Sequence, residues 1–321
     1  MTLQACTHGG FGNLRPSPAQ STTIGLSIQN EQYPFYQAMV YAMRQTILTR
    51  AYPYQLRVKN ADSSAAQLAQ VEDFIRQGVD AIVLVPVDSQ EVDPAILEAN
   101  TAGIPVFTTD IRDETGEQRV AASITSDNVG GGERAGKALC NASLEGSSIL
   151  ILDQPGITSV RDRVLGFRRT MWQCHHSIPP DLNGGTSSDS ATKALKAVLG
   201  EQRHLGAVFA VNDTMAFGAL RAIHYAKCHG MLSGHVQIVG YDGSPEAVAA
   251  VGKGEMFAEI IQDPQKLGSL TVQQIHDYFA KQSHQMPTPV PVSIYLKGAP
   301  IPTSWTSASP LNAEIEGDKC K

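Results

Sequence analysis

Five short stretches gather side chains that could hold a small molecule: Tyr33-Pro34-Phe35-Tyr36, Thr109-Asp110, Val160-Arg161-Asp162-Arg163, Val211-Asn212-Asp213 and Gly240-Tyr241-Asp242-Gly243. Flat aromatic faces give apolar contact to the C–H face of a ring, and a carboxylate accepts two hydroxyl hydrogen bonds. A guanidinium donates as a rigid fork, while an amide both donates and accepts. Such a set suits a small, uncharged ligand with many hydroxyls. No nucleophile beside a base stands out among these residues, so binding rather than catalysis is expected.

Each stretch closes a β-rich run. Such runs are expected at 23–28, 55–58, 81–85, 105–108, 121–125, 149–152, 207–210, 236–239, 257–261 and 290–295. Helical patterns alternate with them at about 35–50, 64–77, 93–102, 130–143, 160–173, 190–199, 214–229, 245–251 and 264–281. That alternation is the mark of βαβ units, and ten parallel-type strands suit two sheets better than one. Ser63, Asp127, Ser159, Asp213, Ser244 and Asp263 stand where short polar residues cap helix starts, and Gly103 and Gly230 stand where helices should stop. In open α/β sheets ligands bind beyond the carboxyl ends of the strands, where the five stretches lie.

The chain of 321 residues is long enough for two lobes, each with its own core. A formal charge of −6 and the lack of a basic arm argue against nucleic acid. No apolar run approaches the roughly 20 residues that span a bilayer. Cys6, Cys140, Cys174, Cys228 and Cys320 are widely spaced without a CxxC, so neither a disulfide framework nor a zinc site is expected. Leu3-Gln4-Ala5-Cys6 reads like the cleavage box of a bacterial lipoprotein ahead of a Gly, Pro and Ser-rich tether. Cys6 is therefore a lipidation candidate, and the alternative is a plain N-terminal tail. Gly130 to Gly132 with Gly136 imitates a dinucleotide fingerprint, but the spacing is GxGxxxG. Cys174-His175-His176 lies at a helix end with no second cluster to complete a metal site, so no metal and no cofactor are expected.

Taken in order, Tyr33-Pro34-Phe35-Tyr36, Gly103-Ile104-Pro105-Val106, Ser126-Asp127-Asn128, Phe209-Ala210-Val211-Asn212-Asp213 and Val239-Gly240-Tyr241-Asp242-Gly243 resemble the type I periplasmic binding proteins, above all the ribose-type monosaccharide receptors of bacterial ABC transporters. The likeness runs over about 23–297. It implies an α/β fold of two Rossmann-like lobes with parallel sheets, joined by a three-segment hinge that closes on a sugar. The implied division is an N-terminal tether at 1–22, one lobe from 23–125 plus 263–285, another from 126–262 plus 286–298, and a tail at 299–321. The chain would cross between lobes near Ser126-Asp127, near Gln262-Asp263 and near 286–289.

The resemblance also assigns roles. Phe35 and Tyr36 would stack on the ligand, rather than serve only as an apolar staple at a helix start. Asp110 and Asp242 would accept hydroxyls, the alternatives being a loop charge and a helix cap. Arg161, the first arginine of the Arg-x-Arg, would reach the ligand, the alternative being a surface ion pair with Asp162 or Glu133, and Arg163 would be structural. Asn212 would pair with a hydroxyl while Asp213 caps the next helix, and Gln262 would supply the last amide. Tyr33 stands where many relatives carry Asn, and Ile111 where ribose receptors carry Arg, so these two positions should set specificity. No aromatic in 183–188 offers an opposite stacking face.

The implied function is an extracytoplasmic receptor delivering a monosaccharide or small polyol to an ABC transporter permease. The alternative is a sensing subunit for a chemoreceptor or sensor kinase. A membrane would be met only through a lipid anchor. A repressor on the same core would need a basic helix-turn-helix before the first strand, and the 22 residues there are too few.

Overall fold

The computed structural model describes residues 21–300, apart from 117–118, 143, 145, 178–179, 202–203, 233 and 282–286. Cys6, Cys320 and nearly all of the expected tether and tail lie outside the described residues. The elements run β1 (Thr22–Ile28), α1 (Pro34–Thr49), β2 (Tyr54–Asn60), α2 (Ser64–Arg76), β3 (Ala81–Leu84), α3 (Asp93–Thr101), β4 (Val106–Thr109) and β5 (Ala122–Ile124). They continue with α4 (Asn128–Cys140), β6 (Ser148–Asp153), α5 (Thr158–Gln173), β7 (Leu182–Asn183), α6 (Ser188–Leu199), β8 (Leu205–Ala210) and α7 (Asp213–Cys228). The last are β9 (Gln237–Asp242), α8 (Pro245–Lys253), β10 (Ala258–Ile261), α9 (Pro264–Phe279) and β11 (Ser293–Leu296).

The strands form two sheets, ordered β2-β1-β3-β4-β5 and β11-β10-β9-β8-β6-β7. Their inner strands are near-continuous apolar runs such as Ala81–Leu84 and Leu205–Ala210, buried along their whole length. That pattern is what parallel strands covered on both faces require. Two expectations change here. β11 pairs antiparallel with β10, and the short β7 was not foreseen. A lone bridge between Ser126 and Val290 joins the chain where it leaves the first sheet to the segment that leads into β11. After β10, helix α9 returns to pack on α1 and β4 of the first sheet.

Ser63, Asp127, Ser244 and Asp263 cap their helices as expected. Ser159 does not: α5 starts at Thr158 behind Ile157, with no side-chain cap. The glycine run of α4 serves close helix packing. A Cβ on Gly132 would strike the Arg163 carbonyl, one on Gly166 would strike the Val129 carbonyl, and one on Gly136 would press on Thr170. α4 and α5 therefore approach to backbone contact, which fixes where α5 places its side chains.

The same packing pairs two cysteines although no disulfide framework was expected. Cys140 closes α4 and Cys174 caps α5, so adjacent helices bring their Cα atoms to 6.0 Å and the two form a disulfide. They lie 34 residues apart with a strand between, a pairing that spacing alone could not show. Cys228 is also disulfide-bonded.

Candidate functional site

The carboxyl ends of strands from both sheets border one cleft of about 720 Å³. From the first sheet come Gln29 and Asn30 after β1, Asp62 after β2, and Asp110 and Ile111 after β4; Tyr33, Phe35 and Tyr36 come from the start of α1. From the second come Gln154 after β6, Arg163 on α5, Asn212 after β8, Asp242 at the end of β9 and Gln262 after β10. Eight of the nine residues expected at the site thus line it; Arg161 does not.

Asp110 leaves β4 with φ of +66°, a left-handed conformation that short polar side chains tolerate. Its N–H donates to the Ile124 carbonyl at 2.8 Å, so the turn is pinned and its carboxylate is held beside Tyr36. Its Oδ2 accepts the Tyr36 hydroxyl at 3.3 Å, and Oδ1 has no partner among the described residues. Burial pushes the Asp110 carboxyl up to about 7; the nearby Arg163 charge pulls down and Asp242 pushes further up. Tyr36 meets Phe35 edge-on with ring centroids 5.4 Å apart. Asp242 is also held at a positive φ, +115°. It accepts from Arg163 Nη1 at 3.0 Å and from Gln262 Nε2 at 2.8 Å.

Arg163 replaces Arg161. Its side chain is 4% exposed, donates from Nε to Asn128 Oδ1 at 2.9 Å and from Nη1 to the Val211 carbonyl at 2.7 Å, and lies 3.8 Å from the Tyr241 ring centroid. Two residues along a helix are about 200° apart, so only one of the pair can face inward. Val160, Val164 and Phe167 mark the buried face of α5, and Arg163 shares it. That spacing was the signal available in the sequence. Arg161 is half exposed and pairs with Glu114, with Asp162 at 4.0 Å.

The capping task expected of Asp213 falls to Asn212. Asn212 caps α7, accepting from the Met215 N–H at 2.9 Å, and its Nδ2 donates to Gln154 Oε1 at 2.9 Å. Asp213 is buried and accepts from the Ser244 N–H at 2.8 Å. Behind it Glu259 on β10 accepts from the Gly243 N–H at 2.9 Å. These carboxyls neighbour one another in the interior; burial raises both, Asp213 to about 7 and Glu259 well above the usual range. Sequence reading missed Glu259, because strand alternation gives no sign that a glutamate faces a carboxyl. Phe217 on α7 supplies an aromatic that the 183–188 segment lacks.

At one rim the two halves bond directly. Ser89 donates its N–H to the Gly156 carbonyl at 2.9 Å, and its hydroxyl accepts from the Thr158 N–H at 3.0 Å. The Thr158 hydroxyl donates to the Arg112 carbonyl at 2.9 Å, and the Arg112 guanidinium reaches Asp162 at 3.1 Å. Arg112, the residue that follows Ile111, is thus engaged at the rim. Among the described residues there is no cluster of three or more metal-ligating side chains, and no helix is long and apolar enough to cross a membrane.

A family model for the periplasmic binding protein domain matches residues 24–283. The chain is 30% identical over 280 residues to the ribose import binding protein RbsB of Bacillus subtilis, covering 85% of this chain and 86% of that protein. It is 31% identical over 246 residues to RbsB of Escherichia coli, covering 76% and 81%. Among solved structures, a solute binding protein from Actinobacillus succinogenes with bound D-allose aligns with a TM-score of 0.75 at 25% identity, over 86% of this chain and 98% of that one. The Caulobacter myo-inositol binding protein aligns at 0.77 and 22% identity, over 92% and 98%.

Proposed function

Because the chain belongs to the periplasmic binding protein family, we propose that it is an extracytoplasmic receptor that captures a monosaccharide or small polyol in its cleft and delivers it to an ABC transporter permease. One observation carries this reading: the Asp110 carboxylate, the Phe35–Tyr36 ring pair, the Arg163–Asp242–Gln262 group and Asn212 converge on one cleft from the strand ends of two sheets. Relatives named as ribose import proteins favour transport over sensing. The Cys140–Cys174 disulfide agrees with an oxidising compartment.

Phe35 and Tyr36 would offer ring faces to the sugar, and the Asp110 and Asp242 carboxylates would accept from it. Arg163 would act mainly by holding Asp242 in place. Its burial makes that pair costly to break, so the site is kept formed ahead of the ligand. Titration calorimetry against pentoses, hexoses and polyols tests the reading. One member of the panel should bind with one-to-one stoichiometry, and silence across the panel from a folded protein would overturn it.

A further inference from the structure

Carboxyl groups outnumber cations among the residues that line the cleft. Asp110 and Asp242 face it with one guanidinium, Arg163, between the two sheets' contributions, while Asp213 and Glu259 lie buried behind Asp242. Arg163 already serves Asn128, Val211 and Asp242. The Asn212 amide is taken by Gln154 and Met215, and Gln262 Nε2 by Asp242. Two buried acceptors are nonetheless left over. Asp110 Oδ1 and Gln262 Oε1 have no hydrogen-bond partner among the described residues, and their residues are 5% and 2% exposed. Beside Asp110 stands the buried, apolar Ile111, and the next cation, Arg112, is held by Asp162.

A ligand hydroxyl could donate to one of these oxygens but would leave the charge as it was. An ammonium has three donors, no acceptor and a positive charge. It would satisfy orphaned acceptors and offset a buried carboxylate whose isolation is costly. We infer that the ligand is an aminated sugar or polyol, carrying a protonated primary amine that is received by the Asp110 carboxylate. This deepens the proposed function and rests on it, and it departs from the uncharged ligand expected from sequence. With burial pushing Asp110 up to about 7, the empty site sheds part of its charge by taking a proton, and the ammonium takes that proton's place. Asp62 and Glu246 also line the cleft, and their sign would draw in a cation.

The test is titration calorimetry on the whole chain. D-glucosamine, D-galactosamine and D-mannosamine are each compared with the parent hexose and the N-acetyl derivative, and glucamine is compared with sorbitol. At least one free amine should bind tenfold or more tighter than both its parent and its acetylated form. Asp110→Asn keeps the shape and suits the positive φ, so it should fold and lose the preference. Parent sugars binding as tightly as their amines, or a preference that survives Asp110→Asn, would overturn the inference while leaving neutral-sugar capture standing. Silence of every sugar, aminated or not, would overturn both readings. The comparison among ligands needs only the unaltered protein, so it stands even if the variant fails to fold.

Discussion

Arg163 and Arg161 share a side-chain type and sit two residues apart, yet their substitution should have opposite consequences. Removing Arg163 strips Asp242 of a buried partner and leaves an uncompensated carboxylate, a loss of about 3–5 kcal/mol. Removing Arg161 breaks a half-exposed pair with Glu114 that is worth at most about 1 kcal/mol. Denaturant melts of Arg163→Ala and Arg161→Ala should therefore differ by several-fold in the stability lost. Equal losses would mean that Arg163 is not held as described. The identities of Asp110, Asp242 and Gln262 as cleft residues were legible because each ends a strand. The choice between the two arginines was legible only through the apolar spacing Val160, Val164 and Phe167, and a motif match outweighed it. Asn212 and Asp213 could not be sorted from sequence, since either side chain can cap a helix. Only the bond from the Met215 N–H to Asn212 Oδ1 decides it.

Alternation of short apolar runs with helical patterns revealed nearly every element before any contact was known, because buried parallel strands and amphipathic helices have different periods. β11 was read with the wrong direction, since an edge strand carries no mark of its orientation. The Cys140–Cys174 bond was invisible because it depends on α4 and α5 lying side by side, which the glycines allow. Between the lobes, the rim bonds of Ser89, Thr158 and Arg112 join the two halves directly. They favour the closed arrangement, so a ligand that binds it has less of the population to shift. Thr158→Val, which deletes the hydroxyl joined to Ser89 and Arg112, should weaken ligand affinity by about three- to tenfold. It should also raise the radius of gyration of the unliganded protein in solution scattering. An unchanged affinity and an unchanged radius together would remove the rim bonds from the closing equilibrium.

Across the whole molecule, several buried carboxyls make stability depend on pH. Asp110 moves from an ordinary 3.8 to about 7 on folding, and Asp213 does the same, while burial also raises Glu259 well above its usual range. Between those values the folded chain holds more protons than the unfolded one, so this stability is full at low pH and is lost as pH rises toward 7. Calorimetric melting of the unliganded protein should show a falling Tm between pH 5 and pH 8, and Asp213→Asn should flatten the slope. A Tm that rises over that range would contradict the assignment. The two sheets, the cleft between them and the family all converge on ligand capture at the strand ends, and hydrogen–deuterium exchange tests that most directly. With the sugar selected by titration, protection should appear in both halves together, at the start of α1, at 110–114, at the start of α5 and around Asn212 and Asp242. Protection confined to one sheet, or lying away from the cleft, would contradict it.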